Sequence, residues 1–185
     1  EGRKLFDDMC RQNDNSDVRD IVSWGAMLGG YVEIGQFSLA FDLFHDMQCC
    51  GVKPNAVVLL CMLRASVSLE APDKAILIQD MAIQYGLDSD LVLSSALIDM
   101  YTKCGCLEDA GIVFHMLSKQ DTAIWSAVIN GYAQHSDYKS ALRYFDAMQQ
   151  AGVEPDGVTF LNILSACSNA LMVPEGCSHL KSMTE

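Results

Sequence analysis

Apolar residues recur at helical spacing along this chain and are interrupted at regular intervals by glycine. A first candidate helix has a broad apolar stripe, which comprises Val22, Trp24, Ala26, Met27, Leu28, Tyr31 and Val32. A second candidate helix has apolar positions at i, i+3/i+4 and i+7, namely Leu39, Ala40, Leu43, Phe44 and Met47. Gly35 separates the two candidate helices, and Gly51 with Pro54 marks the end of the second. The pattern predicts a helical hairpin, and no window has the alternation of a β-hairpin.

The same hairpin pattern returns 101 residues later. Trp24 is matched by Trp125, and the pair Gly30-Tyr31 is matched by Gly131-Tyr132. Residues 21–55 and 122–156 share 11 identities in 35 aligned positions without a gap. Because fixed-period self-similarity is the mark of stacked repeat architectures, we predict an all-α solenoid of helix-turn-helix repeats.

The interval of 101 residues divides into three units of 35, 35 and 31 residues, since Asn55, Asp90 and Asp121 each close a unit. We therefore expect a partial unit with a second helix and a loop, four complete units and an unfinished one, over residues 1–20, 21–55, 56–90, 91–121, 122–156 and 157–185.

Composition argues against several other classes of protein. The longest apolar run, 56–63, is far shorter than the roughly 18 residues of a membrane span, so we expect no membrane partner. The eight cysteines include no C-x-x-C pair and are interpreted as reduced thiols. We find no phosphate-binding loop, nucleophile elbow or zinc signature, and so predict no catalytic residue, metal, cofactor or small-molecule substrate. Any targeting peptide would lie upstream, because the chain opens within a unit.

These features together resemble the plant pentatricopeptide repeat family, in its PLS subclass of standard, long and short repeats. The segment Asp20-Ile21-Val22-Ser23-Trp24 is similar to the start of a standard repeat. Residues 96–105, ALIDMYTKCG, are typical of a short repeat, and residues 158–168 resemble the start of a long one. The resemblance covers nearly all 185 residues and implies a right-handed α-solenoid in which units 21–55 and 122–156 are standard, 56–90 and 157–185 long, and 91–121 short.

The resemblance further implies sequence-specific binding of single-stranded organellar RNA, with one base for each repeat. Members of the subclass act in mitochondria or chloroplasts, where they specify cytidines for C-to-U editing with editing-factor proteins as further partners. The fifth and last residues of each repeat would contact the base, which gives the pairs Gly25/Asn55, Leu60/Asp90, Ser95/Asp121 and Ser126/Asp156. The second residue would flank the base, which gives Val22, Val57, Val92, Ala123 and Val158. Any deaminase domain would lie outside this chain or be recruited.

Hydrogen-bonding chemistry assigns bases to these pairs. A carboxylate accepts the ring N–H of guanine or uracil, whereas an asparagine amide donates to the ring acceptor of adenine or cytosine. A serine hydroxyl leaves room for a purine, so Ser95/Asp121 and Ser126/Asp156 favour guanine. Gly25/Asn55 leans weakly toward adenine, and Leu60 offers no hydrogen-bonding group. The alternative interpretation of these serines and aspartates is that they are helix caps and turn residues.

The formal charge of −12 is unlike that of basic nucleic-acid-binding proteins. It would suit the alternative function, a protein-interaction scaffold of the tetratricopeptide type. We expect the acidic residues of the second helices, Asp42, Asp46, Glu108 and Asp109, to point outward. The mixed unit lengths and the recurrent Asp or Asn at unit ends favour the RNA-binding interpretation.

Overall fold

A computed structural model describes residues 21–169, and every regular element in that range is an α-helix. The prediction of an all-α fold is confirmed. The helices of this range are α1 Ile21–Glu33, α2 Phe37–Cys49, α3 Ala56–Ser68, α4 Pro72–Gln84, α5 Leu91–Lys103, α6 Leu107–Met116, α7 Thr122–Gln134, α8 Tyr138–Gln150 and α9 Gly157–Asn169. The first helices of the predicted units begin at the first residue of each unit, namely Ile21, Ala56, Leu91, Thr122 and Gly157. The predicted partial unit 1–20 and residues 170–185 lie outside the described range.

Glycine and proline end and start the helices as the sequence indicates. After α2, Gly51 has φ of 75°, its N–H donates to Gln48 O at 2.9 Å, and the Val52 N–H donates to Met47 O at 3.2 Å. This pair of bonds is a Schellman motif, whose left-handed residue favours glycine. Pro72 occupies the first turn of α4, where its missing N–H breaks no helical hydrogen bond.

The chain forms two compact units, Glu1–Leu87 and Asp88–Glu185. In the first unit, α1 packs against α2 and α3, and α3 packs against α2 and α4. Its core is formed by fully buried side chains, among them Leu28, Leu43, Met47, Leu59, Met62 and Ile78. Lys74 of α4 lies over the ring of Phe41 in α2, with its Nζ 4.9 Å from the ring centroid.

In the second unit, α7 contacts four helices: α5, α6, α8 and α9. Since it is covered on several sides, its apolar residues need not form one narrow stripe. On one side Phe114 of α6 meets Trp125 of α7 and Tyr144 of α8 edge to face, with centroids 4.6 and 5.2 Å away. Tyr132 of α7 stacks on Tyr144 at 5.2 Å, so aromatic contacts join three helices.

The described cysteines are all free thiols. Cys167 is buried, Cys61 and Cys104 are half-buried, and the adjacent Cys49 and Cys50 are exposed. Burial is the largest influence on Cys61 and raises the pKa of its thiol. At the predicted apolar positions, therefore, one thiol lies fully in the core and two lie at its edge.

Candidate nucleic-acid interface

The last residue of each complete predicted unit caps the helix that follows. Asn55 Oδ1 accepts from Val58 N and Asp90 Oδ1 accepts from Leu93 N, both at 2.9 Å. Asp121 Oδ1 accepts from Ile124 N at 3.0 Å, and Asp156 Oδ1 accepts from Thr159 N at 2.8 Å. The helix-cap interpretation of these residues is confirmed, because each satisfies an N–H that has no partner inside its helix.

The cap occupies only one of the two polar atoms at the end of each side chain. Within residues 21–169, the N–H groups capped by Asp90, Asp121 and Asp156 donate to Oδ1, and the Thr159 hydroxyl also donates to Oδ1 of Asp156. The amide NH₂ of Asn55 is without a partner in that range, while its Oδ1 is held by Val58. The cap holds the side chain in place and leaves a second group for another partner, an acceptor on each aspartate and a donor on the asparagine.

The predicted fifth-position residues, Gly25, Leu60, Ser95 and Ser126, are all half-buried in first helices. The structure joins one predicted pair through a third residue. Ser126 Oγ lies 2.5 Å from Thr159 Oγ1, which donates to Asp156 Oδ1 at 2.7 Å. Ser126 and Asp156, the fifth and last residues of repeat 122–156, therefore belong to one hydrogen-bonded network that Thr159 of the next repeat completes.

The other pairs differ in what lies at the position of Thr159. A Cβ built on Gly25 would lie 3.6 Å from Val58 Cγ2, and Asn55 caps the same Val58, so this pair also adjoins one residue. Asp121 caps Ile124, and no hydrogen bond to Ser95 Oγ occurs among the described residues. Leu60 belongs to the first compact unit and Asp90 to the second.

Thr159 was missed by reasoning from sequence. It is fully buried on the third position of its helix, where the equivalent residues are Ser23, Val58, Leu93 and Ile124. The available signal was a hydroxyl residue, shared only with Ser23, at a position that is aliphatic in the three units between them. The Thr159 backbone N–H and then its hydroxyl lower the pKa of the Asp156 carboxyl below its usual range. That carboxyl is therefore ionised at neutral pH and only accepts hydrogen bonds.

The predicted base-flanking residues are exposed. Val22, Val57 and Val92 are 69%, 61% and 65% accessible, Val158 is 59% accessible, and Ala123 is also exposed. By contrast, Val58 and Val128 are completely buried. Single exposed apolar residues are ordinary, but an exposed valine recurs at four of the five second positions, two in each compact unit.

The acidic residues of the second helices lie only partly outward. Asp42 and Glu108 are exposed, whereas Asp46 and Asp109 are half-buried. The described residues contain no group of three His, Cys, Asp or Glu side chains that could hold a metal ion. Nor does any described helix have the length and apolar character required to cross a membrane.

Two family models match the chain. One, described as the PPR repeat family, matches residues 19–67 and 120–169, and the other, described as PPR repeat, matches residues 92–121. The chain therefore belongs to the PPR repeat family.

Curated relatives from Arabidopsis thaliana match along most of the chain. The pentatricopeptide repeat-containing protein At4g33170 is 35% identical over 170 residues, which are 92% of this chain and 17% of that protein. The protein At4g31070, whose name includes "mitochondrial", is 38% identical over 162 residues, 88% of this chain and 26% of that protein. The chain thus spans about a sixth to a quarter of the length of these relatives.

The fold is similar to that of a solved repeat protein. The crystal structure of the pentatricopeptide repeat protein PPR10 from maize superposes with a TM-score of 0.74 at 18% identity, over 89% of this chain and 24% of that one. A structure of PPR10 in complex with an 18-nt psaJ RNA element superposes with a TM-score of 0.72 at 18% identity, over 97% of this chain and 27% of that one. These likenesses support assignment of the fold to the helical-repeat solenoids.

Proposed function

We propose that this chain binds single-stranded RNA in a sequence-specific manner, with one nucleotide at each repeat. The observation that carries the proposal is the recurrence of one arrangement. The second residue of a repeat is exposed and usually valine, and the fifth residue is half-buried. The last residue of the repeat caps the next helix with one polar atom and keeps another for a ligand. Similarity to PPR10, which was solved with an RNA element, supports the same conclusion.

The base preferences follow from the groups that remain after capping. Asp121 and Asp156 each keep an acceptor for a ring N–H, and Ser95 and Ser126 add a hydroxyl, so two successive repeats favour guanine. Gly25/Asn55 offers the amide donor and leans toward adenine. The long repeat with Leu60 and Asp90 contributes little discrimination, because leucine has no hydrogen-bonding group.

The repeat boundaries and the biological role form a second part of the proposal. We assign the unit boundaries given above, the types of the PLS subclass, and a role in selecting sites for C-to-U editing or related processing of organellar RNA. Two relatives whose names include "mitochondrial" and "chloroplastic" support an organellar location. Editing-factor proteins are the expected protein partners, and the editing deaminase would be a separate domain or a recruited protein.

A scaffold of the tetratricopeptide type is the alternative function, and the net charge of −12 is the observation that favours it. Phosphate attraction contributes much of non-specific RNA affinity, and an acidic chain supplies little of it. Affinity would then depend on the base contacts, which makes sequence preference the property that separates the two functions.

The test is selection of bound sequences from a randomised single-stranded RNA library by the full-length protein. We expect enrichment of two consecutive guanines, with RNA running parallel to the protein, and gel-shift titration should then show lower affinity when either guanine becomes adenine. Asp121→Asn keeps the cap but replaces the free acceptor with a donor, so the preference at that nucleotide should move from guanine to adenine.

Asp137→Asn is the matched control, because Asp137 caps the second helix α8 through Ser140 N at 3.2 Å and does not end a unit. It should leave all base preferences unchanged. Equal affinity for guanine and adenine RNAs would refute the assignment, and failure to retain RNA of any sequence would favour the scaffold.

A further inference from the structure

We infer that Thr159 is a specificity-determining positioning residue, which restricts the repeat with Ser126 and Asp156 to guanine by making both groups hydrogen-bond acceptors only. This inference rests on the proposed RNA-binding function. Thr159 itself is fully buried, so it acts through its two neighbours and not by touching a base.

The direction of each hydrogen bond follows from the number of protons available. The ionised Asp156 carboxylate only accepts, so the Thr159 hydroxyl must donate its single proton across the 2.7 Å bond to Oδ1. The Thr159 oxygen then has only lone pairs left for Ser126, 2.5 Å away. The Ser126 hydroxyl must therefore donate to Thr159, which leaves Ser126 with lone pairs alone.

A nucleotide at this repeat consequently meets two acceptors, Ser126 Oγ and Asp156 Oδ2. On its Watson–Crick edge, guanine presents two adjacent donors, a ring N–H and an exocyclic amino group. Uracil presents its ring N–H between two carbonyl oxygens, so an acceptor-only serine has nothing to receive from it. Two acceptors that face each other with no proton between them are unfavourable, as Ser126 Oγ and a uracil carbonyl would be. The site should therefore reject uracil as well as adenine and cytosine.

The preceding repeat lacks this restriction. Ile124 occupies the position of Thr159 and has no hydroxyl, and Ser95 Oγ has no hydrogen-bond partner among the described residues. Its hydroxyl can rotate and either donate to a uracil carbonyl or accept from the guanine amino group. Two repeats with the same Ser/Asp pair are therefore expected to differ in their discrimination between guanine and uracil.

The experiment measures the affinity ratio for guanine over uracil at each of the two nucleotides, by gel-shift titration of the full-length protein with RNAs selected from the randomised library. In the unmodified protein the ratio should be about tenfold higher at the Ser126 nucleotide than at the Ser95 nucleotide, since one hydrogen bond of about 1.4 kcal/mol corresponds to a tenfold change in affinity.

Thr159→Val preserves the side-chain shape and the backbone N–H that Asp156 caps, but frees the Ser126 hydroxyl. It should lower the ratio at the Ser126 nucleotide about tenfold by strengthening uracil binding, with the guanine affinity little changed. Thr159→Ser, which keeps a hydroxyl, should retain the ratio. A ratio unchanged in Thr159→Val, or an equal loss of affinity for both RNAs, would overturn the inference.

Ile124→Thr provides an independent gain-of-function measurement if Thr159→Val is poorly folded. It supplies a hydroxyl between Ser95 and Asp121 and should raise the ratio at the Ser95 nucleotide, whereas the control Ile124→Val should not. No gain with Ile124→Thr would count against the inference. If the unmodified protein shows no guanine preference at either nucleotide, the proposed function itself fails, and that outcome is distinct from a guanine preference that Thr159 does not influence.

Discussion

Two glycines at equivalent repeat positions are expected to respond in opposite directions to the same substitution. Gly30 and Gly131 each precede a tyrosine in the middle of a first helix, α1 and α7. A Cβ built on Gly30 meets nothing within 4 Å. A Cβ built on Gly131 would overlap the Thr102 side chain of α5, with the Thr102 Cβ only 2.6 Å away. Replacement by alanine therefore tests how closely α5 and α7 approach.

The magnitude follows from two opposing contributions. Alanine in place of glycine stabilises a helix interior by about 1 kcal/mol. Forcing an extra carbon into a packed contact costs about 1–3 kcal/mol. Thr102 cannot easily move away, because it is 4% exposed, its Oγ1 donates to Asp99 O at 3.0 Å, and its carbonyl lies 2.5 Å from His135 Nε2. Because these contacts place the packing cost in the upper part of that range, at about 2–3 kcal/mol, we expect Gly131→Ala to lose about 1–2 kcal/mol net and Gly30→Ala to gain up to about 1 kcal/mol.

The assay is urea unfolding followed by circular dichroism, with the free energy of unfolding compared among the unmodified chain and the two variants. An unchanged denaturant slope would show that the difference lies in stability and not in the compactness of either state. Thermal unfolding should move in the same directions, by roughly 2–4 °C for each kcal/mol. If Gly131→Ala is stabilised as much as Gly30→Ala, the close contact between α5 and α7 is wrong.

Two further predictions concern single side chains. Asp90→Ala removes the N-cap of α5 and should lower the free energy of unfolding, measured in urea, by about 1 kcal/mol. Asp90→Asn can still accept from Leu93 N and should lower it by only a few tenths of a kcal/mol. Equal losses in the two variants would contradict the cap. Burial, then the neighbouring Tyr132, raises the pKa of Tyr144 to about 12 from its ordinary value of 10. The folded state therefore favours the neutral phenol, so this stabilisation is complete below pH 10 and is lost as the pH rises from 10 toward 12. Titration of tyrosinate absorbance should lose one component near pH 12 in Tyr144→Phe, and an unchanged titration would refute the assignment.

The helices and their ends were predictable because they depend on local features. Apolar spacing identifies α2, and Gly51 and Pro72 mark an end and a start through backbone properties that do not require tertiary contacts. The first helices were harder to interpret by amphipathicity, since α7 is covered by four neighbours and carries apolar residues on several sides. The repetition of sequence along the chain indicated where each of these helices begins, which apolar periodicity alone does not.

The candidate site was predictable only as a set of repeat positions. Position in the repeat predicted Ser126 and Asp156 as partners for a base, and helix-cap chemistry offered a second interpretation of the same aspartate. The structure shows that the cap uses Oδ1 and leaves Oδ2, so the two interpretations are compatible. Nothing in the spacing indicated that Thr159 would join the pair, because the bond from Ser126 crosses between α7 and α9.

The order of the helices, the helical hairpin as the repeated element and the repeat family follow from the amino-acid pattern, because each depends on short-range chemistry repeated at a fixed interval. The contacts between neighbouring repeats do not. Gly30 and Gly131 have the same local sequence role yet different surroundings, and Ile124 and Thr159 occupy the same register with different hydrogen-bonding capacity. Such differences arise where side chains from separate repeats meet. Only the tertiary packing decides which atoms of one repeat contact which atoms of the next.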